Sequence, residues 1–563
     1  IGGTNIGCTA AELNLLDGSA KSTSSITIAD ADAFIVIDGN TTKQIPASDL
    51  VTYTQGNAGV LSTGTGNTAI GSSALDSITS GALHNTAIGF NAGTAITDSD
   101  YNTLIGYDAG AAVTGQGNVA VGANTLKSQS TNASLNIAIG WKALEDNVGS
   151  SNNVAVGYTA LGNLTVGSNT EGDNVAIGSY SMSLSSNHNT HNVAVGYTSG
   201  NYIGFASASI GNVAVGSNAM YGTSASEGDY NTAIGYYTLR VITTGDKNTV
   251  LGAEAGEAIN TGSENICIGY KAGTALTDGS NNIAIGTEAL SLNTSTTAVA
   301  IGYKAAEYTQ GSGTFVGYGA GQYENASSGG NTAFGNNALR GQSAGTRVTG
   351  NYNLAVGQGA ASSCSTGSYN TIIGTNAAGN MSTGSNNVVL GYQAGNAQPG
   401  TIQTNLEGGD NNILIGYQAD VSSYTTDNEI VLGNSSHDSL RCNDTSISTL
   451  SDERDKTDIV DNPFGLDFIN TIRPVQFKWD RRKLRIGDET AIYNGRTKLG
   501  FIAQEFQKAM PNEENKIIDL VNEKNPERLE TKMSNLIPVL TKAIQELSAK
   551  NDALEARIKT LEG

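Results

Sequence analysis

One phrase dominates this chain. Asn67-Thr-Ala-Ile-Gly71 returns as Asn85-Thr-Ala-Ile-Gly89, Asn102-Thr-Leu-Ile-Gly106 and Asn118-Val-Ala-Val-Gly122, and runs on to Asn412-Ile-Leu-Ile-Gly416 and Glu429-Ile-Val-Leu-Gly433. The glycine recurs 21 times, at a mean interval of about 18 residues and a range of 15 to 25. Asn stands four residues before it in 18 copies, the exceptions being Ala298, Gly313 and Glu429. Units this short cannot bury an apolar face alone, but stacked copies can, so the period implies a repeat architecture rather than a string of independent globular domains.

The residue before the glycine is Ile, Val or Leu in every copy but one, where it is Phe334, and the residue before that is mostly Ala. This alternation predicts a strand of four or five residues. The glycine then supplies a turn or a close backbone approach that a side chain would block. Three residues later a small residue recurs (Ala74, Ala92, Ala109, Ala143), followed by Leu or Gly, which predicts a second short strand on the same narrow core. The Asn either caps the incoming turn or stacks as a ladder between rungs. The extra residues between units are rich in Ser, Thr, Gly, Asn and Asp, so variable loops should project from a regular rod with almost no helix over 61–440. Tyr follows the repeat glycine at positions 107, 158, 197, 236, 270, 303, 318, 392 and 417, with Phe90 and Trp141 in the same slot. A fixed slot points to a packing ladder rather than a row of sugar platforms. Recognition should then lie in irregular loops, such as those within the long intervals 335–357 and 391–416.

Composition sharpens this picture. Gly is 71 of 563 residues but Pro only 7, which excludes collagen. Charged residues are 14%, too few for an ordinary disordered tail. No apolar run reaches about 18 residues, so no membrane insertion is expected. No signal segment opens the chain, and its start at Ile1 reads as a fragment with the true N-terminus missing. Residues 441–563 hold 20 Lys and Arg against 21 Asp and Glu, whereas residues 1–440 hold 10 against 30. That shift marks a domain boundary, and the acidic part should repel nucleic acid and anionic membranes. Cys8, Cys267, Cys364 and Cys442 form no CxxC pair, so neither a disulfide framework nor a zinc site is suggested. Cys267 occupies the Ala slot and reads as a buried thiol. His188 and His191 read as solvated loop residues rather than metal ligands. No cofactor is called for.

The repeats resemble the heads of trimeric autotransporter adhesins, and similar repeats occur in phage tail fibres. The resemblance implies an all-β trimeric left-handed parallel β-roll over 61–440, here with longer loops. A membrane-anchoring barrel would end an autotransporter, and its lack here weighs against a bacterial surface adhesin. Residues 1–60, with Thr9-Ala-Ala-Glu-Leu-Asn-Leu-Leu-Asp-Gly18, Ile26-Thr-Ile28 and Phe34-Ile-Val-Ile37, are similar to fibre shaft segments.

Beyond a linker at 441–450 the pattern changes. Ser451-Asp-Glu-Arg-Asp-Lys456-Thr-Asp-Ile459, Leu466-Asp-Phe-Ile469, Arg473-Pro-Val-Gln-Phe-Lys-Trp479 and Leu499-Gly-Phe-Ile-Ala-Gln-Glu505 follow in order. A terminal helix then places Ile537, Ile544, Asn551 and Ile558 at one heptad position and Leu540, Leu547, Leu554 and Leu561 at the other, the pattern of a coiled coil. Pro538 fits that helix only if it starts near Ser534. Together, residues 451–563 closely resemble the intramolecular chaperone, auto-processing domain that ends endosialidase-type tailspikes, tail fibres and neck appendages. That implies a small α+β domain, a homotrimer, a catalytic dyad of Ser451 and Lys456, and self-cleavage between Leu450 and Ser451. A lysine serves as base only when neutral, which desolvation or a neighbouring cation favours. Asp452, Glu453, Asp455 and Asp458 would oppose that if close.

The sequence thus predicts a homotrimeric viral tail fibre or appendage, made in the host cytoplasm and joined to the virion tail through the missing N-terminus. It would bind a host cell-surface glycan or protein receptor, and its one enzymatic act would be a single-turnover serine endopeptidase cut of itself. The rivals are a bacterial trimeric adhesin and a glycan-degrading tailspike depolymerase. The latter needs a carboxylate pair about 5 or 6.5–9.5 Å apart, and no recurrent Asp/Glu pair marks one.

Overall fold

A computed structural model describes strand backbone at 33–38, 41–46 and 60–61. It describes residues 66–441 apart from 80, 130–132, 186–188, 205–207, 224–226, 293–296, 326–328, 344–346, 397–405, 435–436 and 438–439. It then describes 451–478, 497–510, 517–523 and 529–563. The chain separates into two compact units, residues 1–217 with 224–227, and residues 218–223 with 228–563.

In the first unit, strands Thr68–Ile70, Thr86–Ile88, Thr103–Ile105, Val119–Val121, Ile137–Ile139, Val154–Val156, Val175–Ile177, Val193–Val195 and Val213–Val215 pair in parallel, each middle residue against the next middle residue. In the second unit the same pairing runs from Thr232–Ile234 to Ile430–Leu432. This is a parallel β-solenoid, and among the described residues no helix falls between 61 and 440. Ahead of it, Ala33–Asp38 and Thr41–Pro46 form an antiparallel pair that contains the expected Phe34–Ile37 strand, while Ile26–Ile28 lies outside the described residues.

The repeat glycine meets both demands made of it. Gly89 sits at φ +138°, and a Cβ built there would fall 2.2 Å from the Gly106 carbonyl oxygen of the next rung. The Asn side chains stack. Asn85 donates its backbone N–H (2.8 Å) and its Nδ2 (3.2 Å) to Oδ1 of Asn67, and Nδ2 donates again to the Ser99 carbonyl (2.8 Å). The same contacts recur at Asn248, Asn265 and Asn282 in the second unit. These amides are buried and their polar atoms are satisfied rung by rung.

The predicted second strand is not there. After each glycine from Gly71 to Gly391 the chain makes a turn in which the second and fourth residues adopt left-handed backbone, as at Ser73 (φ 61°) and Leu75 (φ 54°) or Lys142 (φ 58°) and Leu144 (φ 50°). Strand geometry is incompatible with that sign of φ. The small residue between them is buried nonetheless, because the turn folds it inward, and the turns bond to one another much as strands do: Leu75 N–H donates to Ala92 O at 3.0 Å.

Core volume is exchanged between two positions. In rungs whose strand centre is Ala120, Ala138, Ala155, Ala233 or Ala284, the fourth residue after the glycine is Leu (Leu126, Leu144, Leu161, Leu239, Leu290), and all are buried, whereas Ala87 and Ala194 are followed by Gly93 and Gly200. Where the centre is larger (Leu104, Val250, Cys267, Phe315), that residue is Gly110, Gly256, Gly273 or Gly321. A Cβ at Gly110 would stand 2.7 Å from Leu104 Cδ2, and one at Gly273 would stand 2.5 Å from the Cys267 Sγ. Close packing in a narrow core favours this exchange, although Ala87 with Gly93 and Ala194 with Gly200 show that it is not obligatory. Cys267 and Cys364 are buried thiols, each pushed up to about 12 by burial.

The C-terminal domain is α+β. Strand Val475–Phe477 pairs antiparallel with Lys498–Gly500, and Val521–Asn522 with Glu530–Thr531. Short helices span Leu466–Ile469 and Ala503–Ala509, and a helix of 27 residues spans Leu536–Glu562. Phe468, Phe506, Met510, Leu520, Leu536 and Val539 form its core. Pro538 lies in the first turn of the long helix, where its missing N–H costs nothing.

Candidate functional site

Ser451 and Lys456 flank a single 3-10 turn at Glu453–Asp455. Asp452 starts that turn by accepting the Arg454 backbone N–H at 2.9 Å. The turn reverses the chain, and Lys456 Nζ comes to 2.6 Å from Ser451 Oγ. Both side chains are exposed. The sequence pair is therefore brought together, while Leu450 lies outside the described residues. Of the four nearby carboxylates, Asp452 is taken up by the Arg454 guanidinium, whose Nε lies 3.0 Å from Oδ1. Bonds from that guanidinium, and then from the Arg454 backbone N–H, hold the Asp452 carboxyl below its ordinary range. Arg454 was not singled out from sequence; its position two residues after an Asp is the signal.

Downstream, the chain is fastened to the long helix. Asn462 Nδ2 donates to the Pro538 carbonyl at 3.3 Å, and Asn462 Oδ1 accepts the Phe464 N–H at 3.0 Å. The helix Leu466–Ile469 has no side-chain cap from its own N-cap residue, Gly465. Instead Glu546 Oε2, on the long helix, accepts the Leu466 N–H at 2.8 Å. Residues Asp461 and Asn462 also line an open pocket of about 570 Å³ with Ile537, Pro538, Thr541, Lys542 and Gln545.

Residues 451–513 match the family described as Chaperone of endosialidase. The match to this chaperone family opens at Ser451, whose Oγ meets Lys456 Nζ, and takes in the helix Ala503–Ala509. No curated protein matches the chain. A solenoid repeat region followed by a segment related to the endosialidase chaperone fits a structural protein of tail-fibre or tailspike type with a processing chaperone.

The long helix carries two apolar faces. Leu536, Val539 and Ala543 are buried against the chaperone domain. The predicted heptad seam faces solvent in the single chain, with Ile537 62% and Ile544 66% exposed. The solenoid strands also carry an outward stripe. Ile137 and Ile139 flank buried Ala138, Ile266 and Ile268 flank buried Cys267, and Ile137, Ile139 and Ile266 are among the exposed large apolar residues.

Aromatic rings stack from rung to rung: Phe90 on Tyr107 (5.5 Å, 10°), Trp141 on Tyr158 (4.9 Å, 19°), Tyr303 on Tyr318 (5.0 Å, 20°) and Tyr392 on Tyr417 (5.7 Å, 5°). Each ring covers a face of its neighbour, as a packing ladder should. His191 Nε2 lies 3.4 Å from Asp173 Oδ2, His188 is outside the described residues, and the described residues contain no cluster of metal-ligating groups. Of the two loops singled out for recognition, the one within 391–416 falls mostly outside the described residues. Among the described residues no helix is long and apolar enough to cross a membrane.

One column and one single residue escaped the sequence reading. Side chains two residues before the ladder Asn accept backbone N–H groups from the preceding rung: Asp246 Oδ1 from Asp229, Ser263 Oγ from Asp246, and Ser280 Oγ from Ser263. The signal was present as Ser/Asp-x-Asn. At the ladder gap left by Gly313, buried Glu324 Oε1 accepts the Asn331 Nδ2 at 2.7 Å, standing in for the missing amide oxygen.

Proposed function

We propose that this chain is a homotrimeric viral tail fibre or appendage that displays its loops for recognition of a host cell-surface glycan or protein, and that its C-terminal domain aligns three chains and then cuts itself free. The observation that carries this reading is the 2.6 Å contact of Lys456 Nζ with Ser451 Oγ at the first residues of the chaperone-related segment. Two outward apolar surfaces, the heptad seam and the solenoid stripe, support assembly. Apolar side chains arrayed this way gain most when a like surface covers them.

In the proposed reaction, Ser451 Oγ attacks the Leu450 carbonyl carbon as Lys456 takes the hydroxyl proton. The Oγ–C bond forms, the C–N bond breaks, and the proton passes to the leaving amine of Ser451. Water then hydrolyses the ester, leaving a Leu450 carboxylate and a restored Ser451 hydroxyl. Lysine acts as base only when desolvation favours its neutral form. Both dyad residues are exposed in one chain, so desolvation falls to neighbouring subunits, and cleavage follows assembly. N-terminal sequencing of the small product tests this. It should begin at Ser451, and Ser451→Ala and Lys456→Ala should each leave full-length trimers. A different start, or normal cutting in Ser451→Ala, would refute the assignment.

A further inference from the structure

The dyad turn has no core of its own. Residues 451–461 are exposed throughout, and the chain is tied to the domain as it passes Asn462, Phe464 and Leu466. What those residues grip is the long helix. We propose that Glu546 is a positioning residue for self-cleavage: its carboxylate ties the segment that carries Ser451 and Lys456 to the helix that carries the heptad seam. This rests on the self-cleavage reading above.

Three observations carry the inference. First, the helix Leu466–Ile469 begins at Gly465, which offers no side-chain cap, and Glu546 Oε2 takes the Leu466 N–H at 2.8 Å in its place. Helix starts without a cap leave backbone donors unpaired, so this carboxylate does a job that nothing local does. Second, Gly465 is buried against it. A Cβ there would stand 2.5 Å from Glu546 Oε2, so the backbone is left bare where the carboxylate must approach. Third, Glu546 stands on the helix between buried Ala543, which faces the domain core, and Leu547 of the exposed seam. Any assembly through the seam fixes the rotation and register of this helix, hence the place of Glu546. That in turn fixes Leu466 and Asn462, and through them the direction from which the dyad turn leaves the domain. Asn462, tied to the carbonyl of Pro538, the residue next to Ile537, is the second point of the same tether. The cut thereby becomes conditional on a seated helix.

The full-length chain tests this with four variants, scored for trimer yield by size-exclusion chromatography and for appearance of the fragment starting at Ser451 within the trimer fraction. Glu546→Ala should trimerise at native yield yet release the fragment roughly tenfold more slowly, the scale of one lost charge-assisted bond. Glu546→Gln keeps an acceptor oxygen at the same reach and should cut at close to the native rate. Gly465→Ala should slow cutting in the native background and much less in the Glu546→Ala background. Native-rate cutting in Glu546→Ala, equal slowing in Glu546→Gln, or loss of trimers in Glu546→Ala would each overturn the positioning role. Ser451→Ala, run alongside, separates the two levels. If it blocks cutting while Glu546→Ala does not, only the present inference fails; if it cuts normally, the dyad reading fails and takes this one with it.

Discussion

A ladder asparagine serves two neighbours at once. Asn265 donates its N–H and Nδ2 to Asn248 Oδ1, and its own Oδ1 accepts both from Asn282. Glutamine is too long and aspartate lacks the donor. Asn265→Ala should therefore cost about 2–3 kcal/mol, because it strips partners from buried polar atoms on both sides. Urea unfolding of the full chain, followed by far-ultraviolet circular dichroism, would measure it. The chain has one such position already. Ala298 still donates its N–H to Asn282 Oδ1 at 2.9 Å but passes no amide onward. Cys267 and the repeat glycines were legible at this scale because one slot recurs often enough to expose its rule. The Ser/Asp column was not, since two residue types share one duty and conceal the regularity. Glu324 and Glu546 were not, since each bonds a partner that chain distance does not reveal.

At the scale of the element, several rungs set a large strand centre against glycine in the turn, and several others set alanine against leucine there. The first strand was legible from alternation. The second was a misreading: burial of Ala74 and its equivalents mimics a strand's inward face, while the left-handed backbone on either side of it belongs to a turn. The exchange rule makes a double-substitution test. Leu104→Ala should lose about 2–5 kcal/mol through the cavity it leaves. Gly110→Leu alone should lose about 1–3 kcal/mol by overpacking. The double variant recreates the arrangement of Ala120 with Leu126, a leucine already held at φ 46°, and should recover most of both losses. Additive losses in thermal unfolding would count against it. The terminal helix obeys a different rule. Asn551 occupies a heptad core position at a cost in stability, so Asn551→Leu should raise the dissociation temperature of the assembled helices and relax their register, read by analytical ultracentrifugation of mixed-length chains.

For the whole molecule, the contrast is between many similar rungs and one distinctive terminal domain. Neighbouring rungs differ little in strand sequence, so chains brought side by side by their solenoids alone would find several registers of nearly equal energy. The seam of the long helix has no such degeneracy. If the domain aligns the chains and then leaves, the cut product is held by a barrier rather than by an equilibrium it can find again. Ser451→Ala trimers should therefore regain native assembly after denaturation in clearly higher yield than the processed product. Equal recovery on dilution from urea would show that the solenoid registers itself. The fold class was legible here because repetition is a global property of the sequence; the number of chains is not written in any single rung.

The ladder also has a direction. Each amide oxygen points to donors on the following rung, so the column is a polymer with an acceptor always waiting at its growing end. At Glu429 that polymer is terminated. The Glu429 N–H satisfies the last oxygen, on Asn412, at 2.9 Å, and its carboxylate turns back to accept the Ser422 N–H, also at 2.9 Å. Ser422 Oγ also donates to that carboxylate oxygen, at 3.2 Å, so the acceptor is engaged within its own rung rather than held out to a following one. Parallel sheets with a live end invite a further strand from another molecule. Turned inward, the Glu429 carboxylate caps the amide column at its last rung, so that no ladder acceptor is offered beyond it.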